Sequence, residues 1–151
     1  MTTSWVCVDA SLVVKLVVEE VDSREARALW QNWQNEGRHI AAPPLLRYEV
    51  TSVLRKHVVR GFRTAAESQQ ALALALAFDI DYLEPVNLHQ WALDLAERLN
   101  RPAAYDSHYL ALAEYLGCEF WTADQRLVNS IHGKLPWAKW LGEHESSRKV
   151  I

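Results

Sequence analysis

The chain has 151 residues, half of them hydrophobic, a size that favours one domain over two. Its 16 basic and 19 acidic residues give a formal net charge of −3, so no basic excess points to nucleic-acid binding, although such binding is not excluded. Cys7 and Cys118 lack the spacing of a zinc site or a disulfide framework, and we expect both to stay reduced. No apolar run approaches the ~20 residues of a membrane helix, and the first residues do not resemble a signal peptide, so we expect a cytoplasmic protein.

Short apolar segments alternate with helical patterns along the chain. The first segment, 5–8, shows no polar alternation, as in a strand buried on both faces of a parallel sheet. The predicted strands are 5–8, 39–42, 81–86, 118–122 and 137–141. The predicted helices are 12–18, 23–36, 44–60, 64–78 with a Thr64-x-x-Glu67 capping box, 88–99, 105–116 and 124–131. This alternation predicts an α/β domain with a mainly parallel sheet, followed by a loose polar tail at 142–151.

Two acidic residues directly follow predicted buried strands. Asp9 follows strand 5–8 and so lies at the carboxyl end of a parallel strand, where open α/β sheets place their ligand sites. The alternative is that Asp9 caps the next helix, although Ser11 is also able to do so. Asp124 has the same context behind strand 118–122, and there a capping-box pattern of Thr122 and Gln125 leaves Asp124 partly free for another role.

Glu49 lies in the apolar stripe of the helix 44–60, four residues after Leu45 and four before Val53. Burying an unpaired carboxylate costs several kcal/mol. Glu49 therefore needs a cation, a hydrogen-bonding partner or a water-filled cleft. The alternative is an ion pair with Arg47 or Arg55 at the margin of the stripe.

Asp106 is also placed on an apolar helix face, which it shares with Tyr109, Leu110 and Ala113. Its alternative role is as an N-cap. Two acids at strand ends and two on inward helix faces can share one pocket only if a cation neutralises them. Because no histidine or thiolate cluster accompanies them, an oxygen-rich site of this kind favours Mg²⁺ or Mn²⁺ over zinc.

Four sequence blocks resemble, in order and spacing, the conserved blocks of PIN-domain nucleases, and most closely those of VapC-type toxins from toxin–antitoxin pairs. The blocks are VDAS at 8–11, PPLLRYEV at 43–50, AYDSHYLALAE at 104–114 and WTADQRL at 121–127. The resemblance implies a three-layer α/β/α sandwich over a nuclease domain at 1–141. It places the family's acidic quartet, which is catalytic and binds metal, on Asp9, Glu49, Asp106 and Asp124. It places the supporting hydroxyl groups on Ser11 and Thr122.

The same resemblance implies an endoribonuclease that depends on Mg²⁺ or Mn²⁺ and cleaves RNA with a metal-activated water. It also implies a cognate antitoxin protein as partner and a homodimer. Lys15, Arg47 and Arg55 are candidates for RNA contacts near the cleft. Two alternatives remain: another Mg²⁺-dependent phosphohydrolase, disfavoured because the sequence lacks a glycine-rich phosphate loop, and a catalytically inactive PIN-like binding module.

Overall fold

The computed structural model describes residues 4–131 and 133–143. Between Trp5 and Trp140, five strands and seven helices follow one another. The strands are β1 (Trp5–Val8), β2 (His39–Ala42), β3 (Asp81–Tyr82), β4 (Glu119–Thr122) and β5 (Ala138–Trp140). The helices are α1 (Ala10–Val17), α2 (Ser23–Asn35), α3 (Leu45–Val59), α4 (Ala65–Ala77), α5 (Leu88–Arg98), α6 (Tyr105–Leu116) and α7 (Gln125–Ser130).

The strands form one parallel sheet in the order β3-β2-β1-β4-β5. β1 is the central strand, with Val6 paired to Ile40 of β2 on one side and to Glu119 of β4 on the other. Val6, Cys7 and Val8 are completely buried, as the unbroken apolar run predicts for a strand covered on both faces.

The order of the strands explains the layers. From β1 the chain moves outward to β2 and β3, and then crosses back to β4 on the other side of β1. Because parallel crossovers are right-handed, the helices of the two halves lie on opposite faces of the sheet. In agreement, α1 packs against α2, α3 and α4, whereas α5 packs against α6, which covers β1 and β4. The predicted three-layer α/β/α fold is confirmed.

The structure refines several predicted boundaries. α1 begins at Ala10 rather than residue 12 because Asp9 caps it, and the capping box of Thr64 and Glu67 is present at the start of α4. β3 stops at Tyr82, short of the predicted 81–86, on the edge of the sheet and before Pro85. The predicted tail at 142–151 lies outside the described residues from 144 onward.

The two cysteines are free and buried, with their sulfur atoms 3.6 Å apart between β1 and the start of β4. The sequence spacing did not predict this contact, because the topology brings together two segments that are distant in the chain. Among residues 4–131 and 133–143, no helix combines the length and hydrophobicity of a membrane-spanning segment.

Candidate active site

The candidate site lies at the carboxyl ends of β1 and β4. These two strands are neighbours, yet the chain leaves them toward opposite faces of the sheet, which opens a crevice at their ends. Asp9 directly follows β1, and Asp124 lies two residues beyond Thr122, the end of β4. The fold therefore brings two strand-end acids, separated by most of the chain, to the same edge of the sheet.

Asp9 is held by three hydrogen bonds and is only 7% exposed. Its Oδ1 accepts from the Ser11 hydroxyl at 2.7 Å and from the Leu12 amide at 3.2 Å. Its Oδ2 accepts from the Thr122 hydroxyl at 2.6 Å. The sequence presented helix capping and a role at the carboxyl end of the strand as alternatives for Asp9. The structure shows that one carboxylate caps α1 and also lies at the carboxyl end of β1.

The hydroxyl groups of Ser11 and Thr122 connect Asp9 to the loop after β4. Ser11 Oγ accepts from the Ala123 amide, and Thr122 Oγ1 accepts from the Asp124 amide, both at 2.9 Å. When Asp9 is ionised, each hydroxyl donates its single proton to Asp9. The Ser11 and Thr122 oxygens, 3.1 Å apart, are then in contact without a hydrogen bond between them. This network fixes the rotamer of Asp9.

Burial raises the pKa of Asp9 from its ordinary value of 3.8 to about 7. The hydrogen bonds from Thr122, Ser11 and Leu12 favour the ionised form and oppose this effect, while the negative charge of Asp106 adds to it. A buried carboxylate near a second one is an unfavourable arrangement that a bound cation would relieve.

Asp124 is the N-cap of α7. Its Oδ1 accepts from the amides of Arg126 at 3.0 Å and Leu127 at 3.4 Å. The expectation that Thr122 and Gln125 form the capping box here is wrong, because the Thr122 hydroxyl is engaged with Asp9 instead. Within the described residues, Oδ2 of Asp124 receives no hydrogen bond, so one oxygen of this carboxylate is left for another ligand.

Asp106 lies in the first turn of α6, whose N-cap is Ala104, so the alternative role of Asp106 as an N-cap is wrong. Its Oδ2 accepts from Nη2 of Arg101 at 3.0 Å. Burial raises the pKa of Asp106, the positive charge of Arg101 opposes this, and the negative charge of Asp124 adds to it. Asp106 is thus coupled both to a cation of the chain and to the other acids.

Glu49 is half-buried in the middle of α3 and accepts a hydrogen bond from the hydroxyl of Tyr109 in α6. The alternative ion pair with Arg47 or Arg55 is not formed among the described residues. Burial raises the pKa of Glu49, an effect opposed by the Tyr109 hydrogen bond and increased by the negative charge of Asp106. The apolar stripe therefore correctly indicated that Glu49 needs a partner, and that partner is neutral.

Asp106 is the common member of the cluster, since it interacts electrostatically with Asp9, Glu49 and Asp124. The atoms available as metal ligands are carboxylate and hydroxyl oxygens, which Mg²⁺ and Mn²⁺ prefer. As the side chains stand in the described ranges, however, no group of three or more His, Cys, Asp or Glu residues is close enough to hold a metal ion. The residue types of the cluster fit a hard cation. The Asp106 carboxylate, however, is paired with Arg101 and not directed at the other acids.

The three predicted RNA contacts differ in their surroundings. Lys15 forms an ion pair with Glu20, with Nζ and Oε1 3.8 Å apart. The Arg47 guanidinium lies 4.3 Å from the centre of the Tyr82 ring, a cation–π contact. Arg55 is exposed on α3.

Two residues of the site were missed as functional by sequence reasoning, Arg101 and the hydroxyl of Tyr109. Tyr109 is 1% exposed, and a buried tyrosine needs a partner for its hydroxyl. Its position on the same helix face as Asp106 could have indicated that it belongs to the site. Arg101 lies in the loop before α6, where no periodic pattern indicates which way a side chain points. Its Nη1 also donates to Ser130, so that it bridges α6 and α7.

Comparison with known proteins agrees with this geometry. The family model of the PIN domain matches residues 6–130. The chain is 29% identical over 131 residues to VapC ribonuclease Mb0985 of Mycobacterium bovis and to ribonuclease VapC9 of Mycobacterium tuberculosis, covering 87% of this chain and 94% of each relative. Among solved structures, PAE2754 from Pyrobaculum aerophilum has a TM-score of 0.62 at 24% identity, covering 97% of this chain and 99% of its own.

A toxin–antitoxin complex from Klebsiella pneumoniae contains a chain with the same TM-score of 0.62 at 17% identity, covering 90% of this chain and 97% of that one. At such identities the two structures establish the fold alone. The match to the family model, in contrast, extends over most of the sequence and includes the segments that carry all four acids. This chain is therefore a member of the PIN-domain family.

Proposed function

We propose that this protein is an endoribonuclease dependent on Mg²⁺ or Mn²⁺, and the toxin of a toxin–antitoxin pair. The observation that carries the proposal is that Asp9 and Asp124 follow adjacent strands at the switch point of the sheet, while Asp106 interacts electrostatically with both of them and with Glu49. The relatives named VapC ribonuclease support the same reading. Under this proposal the domain comprises 1–141, and 142–151 is a polar tail.

Asp9, Asp106 and Asp124 would hold the cation, with Glu49 binding through water or orienting the nucleophile. When bound, a divalent cation lowers the pKa of water, polarises the scissile phosphate and stabilises the leaving oxygen. Without a cation, the clustered carboxylates would repel the RNA backbone. The ion is therefore required for substrate approach as well as for the chemical step.

The residues of the chain itself prepare the site in defined ways. Ser11 and Thr122 keep the Asp9 carboxylate in one rotamer, which removes the need to order it during the reaction. The Tyr109 hydroxyl orients Glu49, and burial raises the pKa of Glu49, which makes its carboxylate a stronger base. Arg101 offsets the negative charge of Asp106 when no cation is present.

The remaining partners follow from the same proposal. RNA is the substrate, with Lys15, Arg47 and Arg55 as candidate contacts on α1 and α3. A cognate antitoxin would neutralise the enzyme, in line with a structural neighbour described as a toxin–antitoxin complex. We further propose a homodimer in the cytoplasm.

The test is cleavage of single-stranded RNA by the purified protein with added Mg²⁺ or Mn²⁺. Asp9→Asn and Asp106→Asn should each reduce cleavage by about a hundredfold or more while the protein stays folded. Asp94→Asn is the matched control, because Asp94 is an exposed acid paired with Arg98 on α5, and it should retain full activity. Cleavage that continues in excess chelator, or turnover of a phosphomonoester in place of RNA, would contradict the proposal.

A further inference from the structure

A cavity of about 370 Å³ opens beside the acidic cluster. Tyr48 and Tyr105 both line it, and both are largely exposed, at 74% and 67%. Exposing several large aromatic side chains to water at one cavity is unfavourable. A group of this kind therefore indicates a binding surface.

The cavity is tied to the acids by chain connectivity. Tyr48 directly precedes Glu49 on α3, and Tyr105 directly precedes Asp106 on α6. His108, a further lining residue, is close enough to Glu49 to influence it electrostatically. Neighbouring residues on a helix point in different directions, so the spatial link between the cavity and the acids is His108, which lines the cavity and interacts with Glu49.

Part of the cavity wall is held in place by hydrogen bonds of two histidine side chains and by two prolines. The ring of His108 is held by its Nδ1, which lies 2.8 Å from the carbonyl oxygen of Ala104. Since a carbonyl only accepts, Nδ1 carries the proton, and in neutral His108 Nε2 accepts from Nδ1 of His89 at 3.0 Å. The two prolines at 43–44 restrict the backbone on another side of the cavity.

The chemistry of the lining selects against an anion. Glu84 is the charged residue among those that line the cavity, together with neutral proline, leucine, tyrosine and histidine side chains. A phosphate would be repelled by Glu84, whereas a flat neutral ring with a polar edge matches exposed tyrosine faces. The tryptophans on α2 do not offer such faces, because Trp30 and Trp33 are buried in the core.

We propose that this cavity binds an unpaired nucleobase of the RNA, next to the phosphate that lies at the acids, by stacking on Tyr48 and Tyr105. The inference rests on the proposed ribonuclease function and deepens it. A backbone bound at the acids carries its neighbouring base into the cavity, and a base in a duplex is not free to enter. The cavity therefore contributes substrate binding rather than chemistry.

The first test compares steady-state cleavage of a single-stranded RNA by Tyr48→Leu and Tyr105→Leu with that by the unaltered enzyme. Each change removes a stacking face, so KM should rise about tenfold while kcat stays within about twofold. Tyr48→Phe and Tyr105→Phe keep the ring and should leave KM close to that of the unaltered enzyme. Tyr115→Leu, which alters an exposed tyrosine stacked on Trp91 away from the cavity, is the matched control and should change neither value.

The second test does not require activity. RNA carrying 5-iodouracil at successive positions is photocrosslinked to the Asp9→Asn protein, and the modified peptides are mapped by mass spectrometry. We expect crosslinks on Tyr48 or Tyr105. If crosslinks map to these tyrosines but the unaltered protein does not cut RNA, the base site is supported and the nuclease proposal fails.

Other results would overturn the base site alone. RNA cleavage with an unchanged KM in both leucine variants, together with crosslinks elsewhere, would refute it while leaving the nuclease proposal intact. A shift in the monomer–dimer equilibrium of the leucine variants without any effect on KM would instead identify the cavity as an interface between two copies of the chain.

Discussion

Thr122, the last residue of β4, donates its hydroxyl proton to Asp9, the first residue after β1, over a distance of 2.6 Å. The two residues belong to adjacent parallel strands. The same hydroxyl accepts from the Asp124 amide, so one side chain orders both strand-end acids. Asp9 is therefore positioned by the neighbouring strand as well as by Ser11 and Leu12 of its own segment.

Thr122→Val tests this positioning. Valine has nearly the same shape but leaves Asp9 without one donor and the Asp124 amide without its acceptor. We expect the free energy of unfolding to fall by about 1–2 kcal/mol in urea denaturation, because the Asp9 carboxylate is buried and the Asp124 amide is partly buried. Thr51→Val is the matched control, since the Thr51 hydroxyl is exposed on α3, and it should change stability by less than about 0.5 kcal/mol. Equal effects from the two changes would contradict the role given to Thr122.

The raised pKa of Asp9 makes stability depend on pH in the metal-free protein. The folded pKa of about 7 lies above the ordinary 3.8, so the folded state retains a proton that the unfolded state has lost between these values. The contribution of Asp9 is thus present at low pH and is lost as pH rises through about 7, with an upper limit of about 4 kcal/mol.

Asp9→Asn isolates that contribution, because asparagine does not titrate. In chelator, the stability of the variant relative to the unaltered protein should increase from about pH 5 to about pH 8, as measured by urea denaturation. Parallel pH profiles for the two proteins would show that Asp9 has an ordinary pKa.

Arg101 competes with a cation for Asp106, because its guanidinium donates to the same carboxylate that is proposed to bind metal. Arg101→Gln should therefore strengthen Mn²⁺ binding by about fivefold, measured by calorimetric or paramagnetic titration without RNA. Arg98→Gln is the control, since Arg98 pairs with Asp94 and Glu114 on α5 and α6 and should leave Mn²⁺ affinity unchanged. Weaker binding in Arg101→Gln would mean that the arginine supports the site instead of competing for it.

Tyr109→Phe removes the donor to Glu49 while preserving the volume of a buried ring. The hydrogen bond lowers the pKa of Glu49, so its loss should raise that pKa and move the acid limb of the pH–rate profile upward. We expect the loss of cleavage to be largest at acidic pH and to become smaller as pH rises. Tyr115→Phe should leave the profile in place, and the same shift in both variants would argue against a specific role for Tyr109.

The sequence indicated the sheet and the strand-end acids because both depend on local patterns. The apolar run at 5–8 is unbroken since β1 is covered on both faces, and an acid directly behind such a strand must lie at its carboxyl end. The inward position of Glu49 was likewise readable from helical periodicity.

The hydrogen-bonding partners of these acids could not be predicted from the sequence, because tertiary packing determines them. The Ser11–Asp9–Thr122 network spans 113 residues of chain, and Glu49 meets Tyr109 across two helices. Arg101 reaches Asp106 from an irregular loop, where neither a period of two nor one of 3.6 fixes side-chain direction. The length of β3 was overestimated for a related reason, since only its neighbour β2 defines where that edge strand ends.

We propose that Asp9, Asp106 and Asp124 hold a divalent cation on which RNA cleavage depends, with Glu49 beside it. The most direct test of this proposal is the anomalous scattering of Mn²⁺ in a crystal of the unaltered protein. We expect a peak bound by Asp9 together with Asp106 or Asp124, with Asp106 released from Arg101. A saturating soak that produces no peak at these carboxylates, with the Arg101–Asp106 ion pair still in place, would contradict the account.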